Sequence, residues 1–257
     1  MPKTPKTVEV GFVAPRHLAS GGDPAWIAVP LHRACGWSYS HDPLMPRVML
    51  TSPDQRTLLR LEPAPDAPWW SLRHAPGPGW PAWSASFDAR TPVEIIAALA
   101  DALTAPDDAP AGTAVSDPFE PLRQADWDQI DDGMFTSPDG HVQVDRFVLH
   151  GSDRWFITTS LSDDPGDWVW QARLDATTPA HLITPLIRAL ADPAPLRRDL
   201  RALPRWIRPH VQTATAPVGP ADLPDPLEQR VRYLAARHAR PAPPPPPHRP
   251  ELHRRTR

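Results

Sequence analysis

Few residues in this chain stand at spacings that could do chemistry. The triplet Ser-Pro-Asp occurs twice, as Ser52-Pro53-Asp54 and Ser137-Pro138-Asp139. A serine beside an aspartate raises the question of nucleophilic catalysis. That chemistry needs a histidine base oriented by an acid, and no pattern around either triplet supplies one. Serine, proline and aspartate in succession, followed by glycine at Gly140, instead suit a type I turn with a bulge. Both triplets are therefore expected at hairpin tips. No Walker loop, GxGxxG, HExxH or nucleophile elbow occurs. The 11 histidines are scattered without ligand spacing, and His248 and His253 fall in a terminal proline-arginine tract. Asp131-Asp132 and Asp163-Asp164 sit in turn-like polar stretches and read as solvated loop charges. The expectation is no catalytic residue, no cofactor and no metal; an enzyme assembled from distant groups is the remote alternative.

What remains is binding chemistry. Arg56, Arg60, Trp69 and Arg73 fall within one short stretch, and Arg154, Phe156 and Arg173 recur further on. Arginine beside an aromatic ring can grip a phosphate and stack a base. Arg230 and Arg237, with Arg232 and Arg240, crowd a helix-like segment near the C-terminus.

These residues are positioned by elements that repeat. TSPDQ at 51–55 returns as TSPDG at 136–140, 85 residues later, and at the same offset Leu59 matches Val144 and Trp70 matches Trp155. After a two-residue shift Trp83 matches Trp170, Phe87-Asp88 matches Leu174-Asp175 and Thr91-Pro92 matches Thr178-Pro179. Each unit reads as an antiparallel meander of about four strands closed by one helix. Strands are expected near 46–51, 56–62, 69–74 and 82–87, then 133–136, 141–149, 154–161 and 168–175. Ile95, Ile96, Leu99 and Leu103 form an apolar stripe, so a helix is expected over 92–104, with another over 179–191. Thr91 as N-cap, Pro92 at N1 and Glu94 at N3 compose a capping box. Pro185 predicts a kink in the second helix. An extra helix begins after Asp23 and stops at Gly36, with Val8–Val13 a leading strand; only PLRQADW (121–127) echoes it in the second unit.

Strand alternation sorts the faces. Leu59, Leu61, Trp70, Leu72, Trp83, Ala85 and Phe87 share one face, matched by Val144, Arg146, Trp155, Ile157, Trp170, Ala172 and Leu174. This face belongs under the helices, which makes the four tryptophans core rather than a stacking platform. The opposite face carries Arg56, Leu58, Arg60, Trp69, Ser71, Arg73, Ser84 and Ser86, then Asp145, Arg154, Phe156, Thr158, Gln171 and Arg173, joined by Phe147. One helix cannot cover both faces. The second is expected to be buried by sheet-to-sheet packing of the units or by dimerisation, or else to hold nucleic acid or another protein.

The Ser-Pro-Asp turn, PWWSLRH (68–74), WSASFD and TPVEIIAALADAL together resemble the actinobacterial SPDY domain, a domain of unknown function unrelated to the animal Speedy proteins. HLASGGDP (17–24) is similar to the segment preceding that domain. The fourth motif position is Gln55 in one unit and Gly140 in the other, not tyrosine. The resemblance spans 8–104 closely and 117–193 loosely. It implies an intracellular protein with tandem copies and carries over no activity.

Composition sets the outer limits. The chain has 257 residues, 38 of them proline, one cysteine (Cys35) and a net charge of −3. That much proline excludes a helical bundle. No apolar run reaches the roughly 18–20 residues that span a bilayer, and a lone cysteine fits a reducing cytoplasm. The charge divides into −11 over residues 1–196 and +8 over 197–257. The domain reading is α+β: a first unit at 8–104, a linker at 104–118, a shortened second unit at 117–193, a basic helical segment at 195–240 capped by Asp225, and a disordered tail at 241–257. That basic segment either packs on the acidic repeats or docks on an acidic partner. The functional expectation is a non-catalytic intracellular binding or scaffolding protein. Its partner is a protein or a second copy, with nucleic acid the alternative and no membrane.

Overall fold

The computed structural model describes residues 8–42, 44–77, 81–105, 117–149, 152–162, 164, 167–218 and 226–239. Most of the linker, Asp163, Asp225, Arg240 and the 241–257 tail lie outside the described residues. The chain opens with β1 (Val8–Ala14), a short 3-10 turn and α1 (Ala25–Cys35). The strands β2 (Ser38–Asp42), β3 (Met45–Thr51), β4 (Thr57–Leu61), β5 (Trp70–His74) and β6 (Trp83–Phe87) follow, and α2 (Val93–Leu103) closes them. Next come α3 (Glu120–Gln124), β7 (Asp128–Asp131), β8 (Met134–Thr136), β9 (Val142–Leu149), β10 (Ser152–Ser160), β11 (Trp168–Asp175) and α4 (Ala180–Ala191). β12 (Leu196–Arg198), β13 (Gln212–Val218) and α5 (Pro226–His238) complete the description. The architecture is mixed α and β with antiparallel sheets.

The large sheet has ten strands in the order β2-β3-β4-β5-β6-β11-β10-β9-β8-β7. Its two halves meet edge to edge. This corrects the expectation of sheet-to-sheet packing: β6 pairs with β11 through Ala172↔Phe87, Arg173↔Ser86 and Leu174↔Ala85. Exchanging the offset-matched residues maps this register onto itself, the self-complementarity of an isologous interface. Asp88 Oδ2 accepts the Gln171 N–H at 2.9 Å, and Asp175 Oδ2 accepts the Ser84 N–H at 2.8 Å, so each strand ends in a carboxylate that binds the other. Without these acceptors two backbone donors at the junction would go unpaired, a cost of about 1–3 kcal/mol each when buried.

The core lies on one face. β4, β5 and β6 alternate between buried and partly exposed positions, as strands covered on one side must. Trp70, Trp83, Trp155 and Trp170 are each 4 % exposed or less and join Ile95, Ile96, Leu99, Ile183 and Leu186 of the helices in one cluster. The Trp170 indole N–H, which needs an acceptor once buried, donates to His17 O at 2.8 Å.

Helix ends show where sequence logic holds and where tertiary contact replaces it. Asp23 Oδ1 accepts the Ala25 N–H at 2.9 Å, and α1 stops at Gly36, whose φ of +70° suits glycine. After both α1 and α3 a tryptophan N–H returns to a buried leucine, Trp37 to Leu31 O and Trp127 to Leu122 O, each 3.0 Å. α2 departs from the expected capping box. Pro92, with ψ 125°, is its N-cap, and the Thr91 hydroxyl is buried without a partner. The Val93 N–H is bound by Gly21 O at 3.1 Å, and Glu94 is taken by Arg198 at 2.6–2.7 Å. α4 spans Ala180–Ala191 with Pro185 inside it.

Residues 195–218 carry two strands and one 3-10 turn (Arg208–His210) but no α-helix, contrary to the reading of a helical segment there. β12 and β13 flank β1 in a separate three-stranded sheet, which satisfies both edges of an otherwise unpaired strand. Helix is confined to α5, which packs on α1. Arg230 there donates to Asp101 at 2.6 Å and to Trp26 O at 2.9 Å. The basic segment thus docks on an acidic residue of its own chain.

Asp175→Ala is expected to lower the unfolding free energy by about 1–3 kcal/mol in urea titration, because the Ser84 N–H loses its acceptor. A loss below about 0.5 kcal/mol, the scale of an ordinary surface change, would show the carboxylate to be incidental.

Candidate functional site

The Ser-Pro-Asp turns hold the serine and aspartate pairs nearest in type to a nucleophilic site. Ser52 Oγ donates to Asp54 Oδ1 at 2.5 Å and accepts the Thr57 N–H at 2.9 Å, while Asp54 Oδ1 also accepts the Arg56 N–H at 3.1 Å. Ser137 and Asp139 repeat all three bonds, at 2.6, 2.9 and 3.1 Å with Val142 and His141. Gln55 at φ +60° and Gly140 at φ +73° take the bulge position. Serine and aspartate are spent on closing the hairpin backbone, which explains both residue types without catalysis.

The surroundings of the two turns differ. Asp139 also binds His17 Nε2 at 2.9 Å. Burial alone would raise the Asp139 carboxyl, but His17, the Ser137 hydroxyl and the His141 N–H together hold it well below the usual carboxylate range. Beside Asp54 lies an open cavity of about 610 Å³, lined among others by Cys35, Arg56, His74, His181 and His238. Burial pushes all three imidazoles down, with Arg56 adding to the effect at His74 and Arg237 at His238. Burial also pushes the Cys35 thiol up, away from the thiolate that reacts. His74 Nδ1 is engaged with Thr57 Oγ1 at 2.9 Å, and the Cys35 thiol is hydrogen-bonded to Thr104. Among the described residues no three His, Cys, Asp or Glu side chains could hold a metal ion.

The face turned away from the helices is the larger candidate. None of Leu58, Arg60, Ser71, Arg73, Ser84 and Ser86 is buried. The registers align two rows across the sheet. One runs Met49, Arg60, Ser71, Ser86, Arg173, Phe156, Asp145; the other runs Leu58, Arg73, Ser84, then Asp175, Arg154, Phe147. Arg173 lies 5.9 Å over the Phe156 ring, and Phe156 stacks on Phe147 at 4.8 Å. Arg154 is the register partner of Phe147. Arg154, Phe156 and Arg173 therefore come together. Asp88 and Asp175 sit on this face too, and each carries bonds from the neighbouring strand; burial pushes the carboxyls of Asp88 and Asp145 up.

The other predicted residues disperse. Arg60 is paired to Glu62. The Trp69 indole N–H is held by Ala64 O at 2.9 Å and the ring is half-buried. Arg56 turns to the edge, its guanidinium against Gly77. Arg73 is exposed and has no ion-pair partner among the described residues. Arg230 is committed to Asp101, and Arg237 lies 5.9 Å over Tyr233 of its own helix. Arg56, Arg60, Trp69 and Arg73 do not form one site. Sequence reasoning missed the junction role of Asp88 and Asp175 and the closure by His17; the recurrence of Asp after Phe87 and Leu174 was the available signal for the first.

With the geometry established, comparison adds a family. Residues 51–109 and 136–196 each match SPDY, described as a domain of unknown function (DUF317). The two segments begin at the two Ser-Pro-Asp hairpins and run through α2 and α4. No curated protein and no solved structure matches. No helix among the described residues is long and apolar enough to cross a membrane.

A carboxyl held low in the folded state contributes stability above its unfolded value, near 4, and loses that contribution as pH falls below it. Asp139→Asn should therefore destabilise the protein by about 1–3 kcal/mol at pH 7 and flatten the fall in stability below about pH 4. Urea midpoints measured from pH 7 to 3 check this. The counterpart Asp54→Asn, where no His17 bond is lost, should move the midpoint less.

Proposed function

With both SPDY segments supplying strands to one sheet, we propose that the chain is a fused pair of domain copies that works as a non-catalytic, cytoplasmic binding or scaffolding protein. Each copy contributes a meander and its closing helix, and the open sheet face is the platform on which a protein partner sits. The observation that carries this reading is the one-sidedness of the ten-stranded sheet: helices and the buried Trp70, Trp83, Trp155 and Trp170 occupy one face, and Arg73, Arg154, Arg173, Phe147 and Phe156 occupy the other. Arginine and aromatic side chains dominate the energetics of protein interfaces, where lysine is depleted. Asp88 and Asp175 bind backbone N–H groups of the neighbouring strand, and Arg73 and Arg154 stand exposed on this face to meet a partner's acids.

Nucleic acid is the second reading, favoured by the Phe147–Phe156 stack flanked by Arg154 and Arg173. A single strand tracking this row would stack bases on the rings and place phosphates on the arginines.

One variant, Arg73→Ala with Arg154→Ala and Arg173→Ala, tests both. On the protein-partner reading, a protein retained from host extract by the wild type survives nuclease treatment and binds the variant at least about tenfold more weakly. Equal retention by both forms sinks the open-face assignment. A labelled single-stranded oligonucleotide titrated at two salt concentrations decides the second reading, whose signature is affinity falling steeply with salt.

A further inference from the structure

We infer that the cavity beside Asp54 binds a small organic anion, an apolar molecule carrying one carboxylate or phosphate group. The space, about 610 Å³, opens where the Ser-Pro-Asp turn of the first half meets the ends of α1, α2 and α5 and the start of α4. That volume suits one small ligand. The cavity lies among the helix ends and is distinct from the open face of the sheet.

Arg56 and Asp54 are the fixed charges of its wall. Asp54 Oδ1 already accepts the Ser52 hydroxyl and the Arg56 N–H, whereas the Arg56 guanidinium has no ion-pair partner among the described residues. Three imidazoles stand with it: His74 and His238 are half-buried and His181 is exposed. The His74 ring is held by Thr57 Oγ1 at Nδ1 and stacks on Trp83 at 5.6 Å, which leaves its Nε2 for a ligand. His238 Nε2 is buried without a hydrogen-bond partner among the described residues. A native structure rarely leaves such an atom unsatisfied, and an oxyanion is the strongest acceptor for a ring or guanidinium N–H. Pro53, Pro81 and Leu103 in the same wall receive the apolar body.

The starts of α2 and α4 give the sign of the ligand. Glu94 stands in the first turn of α2, near the positive end of the helix dipole, and is held by Arg198. At the matching position of α4, 87 residues on, stands His181. α4 has no acid in its first turn and no side chain bonded at its N-cap, and this bare end reaches the cavity through Pro179 and His181. An anion in the cavity supplies the negative charge that Glu94 supplies in α2. The end of α2, of opposite sign, reaches the wall at Thr104, where Arg237 is near enough to act on both Cys35 and His238.

Phenyl phosphate and benzoate serve as probes, with phenol as the neutral control, and histidine ring NMR of the intact chain reports where they bind. The expected result is saturable shifts of His74, His181 and His238 but not of His17, His141 or His210. The tighter anion should show a dissociation constant at or below about 1 mM, and its head group identifies which oxyanion the site prefers. Phenol should bind at least about tenfold more weakly, and Arg56→Gln should weaken the anion about tenfold, the scale of one charged hydrogen bond. Arg188→Gln, on α4 but outside the cavity, should leave the affinity unchanged. Absence of saturable shifts up to about 10 mM of either anion overturns the proposal. So does phenol binding as tightly as the anions, or folded Arg56→Gln binding as the wild type does. If Arg56→Gln fails to fold, His181→Ala at its exposed position decides instead, and unaltered affinity there rejects the site.

Discussion

The pairing of β6 with β11 is the constraint on which the rest of the molecule depends. A strand at the centre of a sheet must satisfy its backbone groups on both sides, and each half-sheet offers one unsatisfied edge. Joining these edges makes one sheet from two and brings α2 and α4 side by side above it. It also decides what stays bare. Helices attached on the same side of each meander must end on the same side of the joined sheet, so the opposite face is exposed as a consequence of the junction. Asp88 and Asp175 fasten the join because the register runs out just beyond Phe87 and Leu174, where side-chain oxygens replace backbone carbonyls as acceptors.

The two halves have diverged around a shared frame. Backbone bonds at the Ser-Pro-Asp hairpins are the same in both and each turn lines an open cavity, but of the two aspartates Asp139 is the one bound to His17. The same asymmetry appears at α1 and α3. α1 has 11 residues and α3 has five.

Features that depend on local order were legible in the chain itself. The Ser-Pro-Asp turns, the apolar stripes of α2 and α4, and the inward tryptophans all follow from periodicity and turn chemistry within a few residues. Features that depend on distant partners were not. The Val93 N–H finds Gly21 O, Glu94 finds Arg198, and Arg230 finds Asp101, pairings that no local pattern encodes. β7 escaped notice because Asp128–Asp131 is exposed at every position and shows no alternation. β12 has three residues, too few for a period to register. Among the binding residues, the Arg154, Phe156 and Arg173 grouping follows from alternation along two adjacent strands. Arg56 and Arg60 were drawn away by neighbours that alternation cannot reveal.

The small sheet has a consequence for how the chain reaches its native state. β1 pairs with β13 from Val8↔Val218 to Ala14↔Gln212 and with β12 through Gly11↔Arg198. Contacts so far apart in sequence close only after a large loss of chain entropy, and folding slows as such contacts multiply. During synthesis β1 emerges first and waits, unpaired, until nearly all the described chain has followed. The ten-stranded sheet needs nothing from residues 212–218 and can assemble earlier. The topology therefore makes the joining of these two distant segments the closure that costs the most chain entropy.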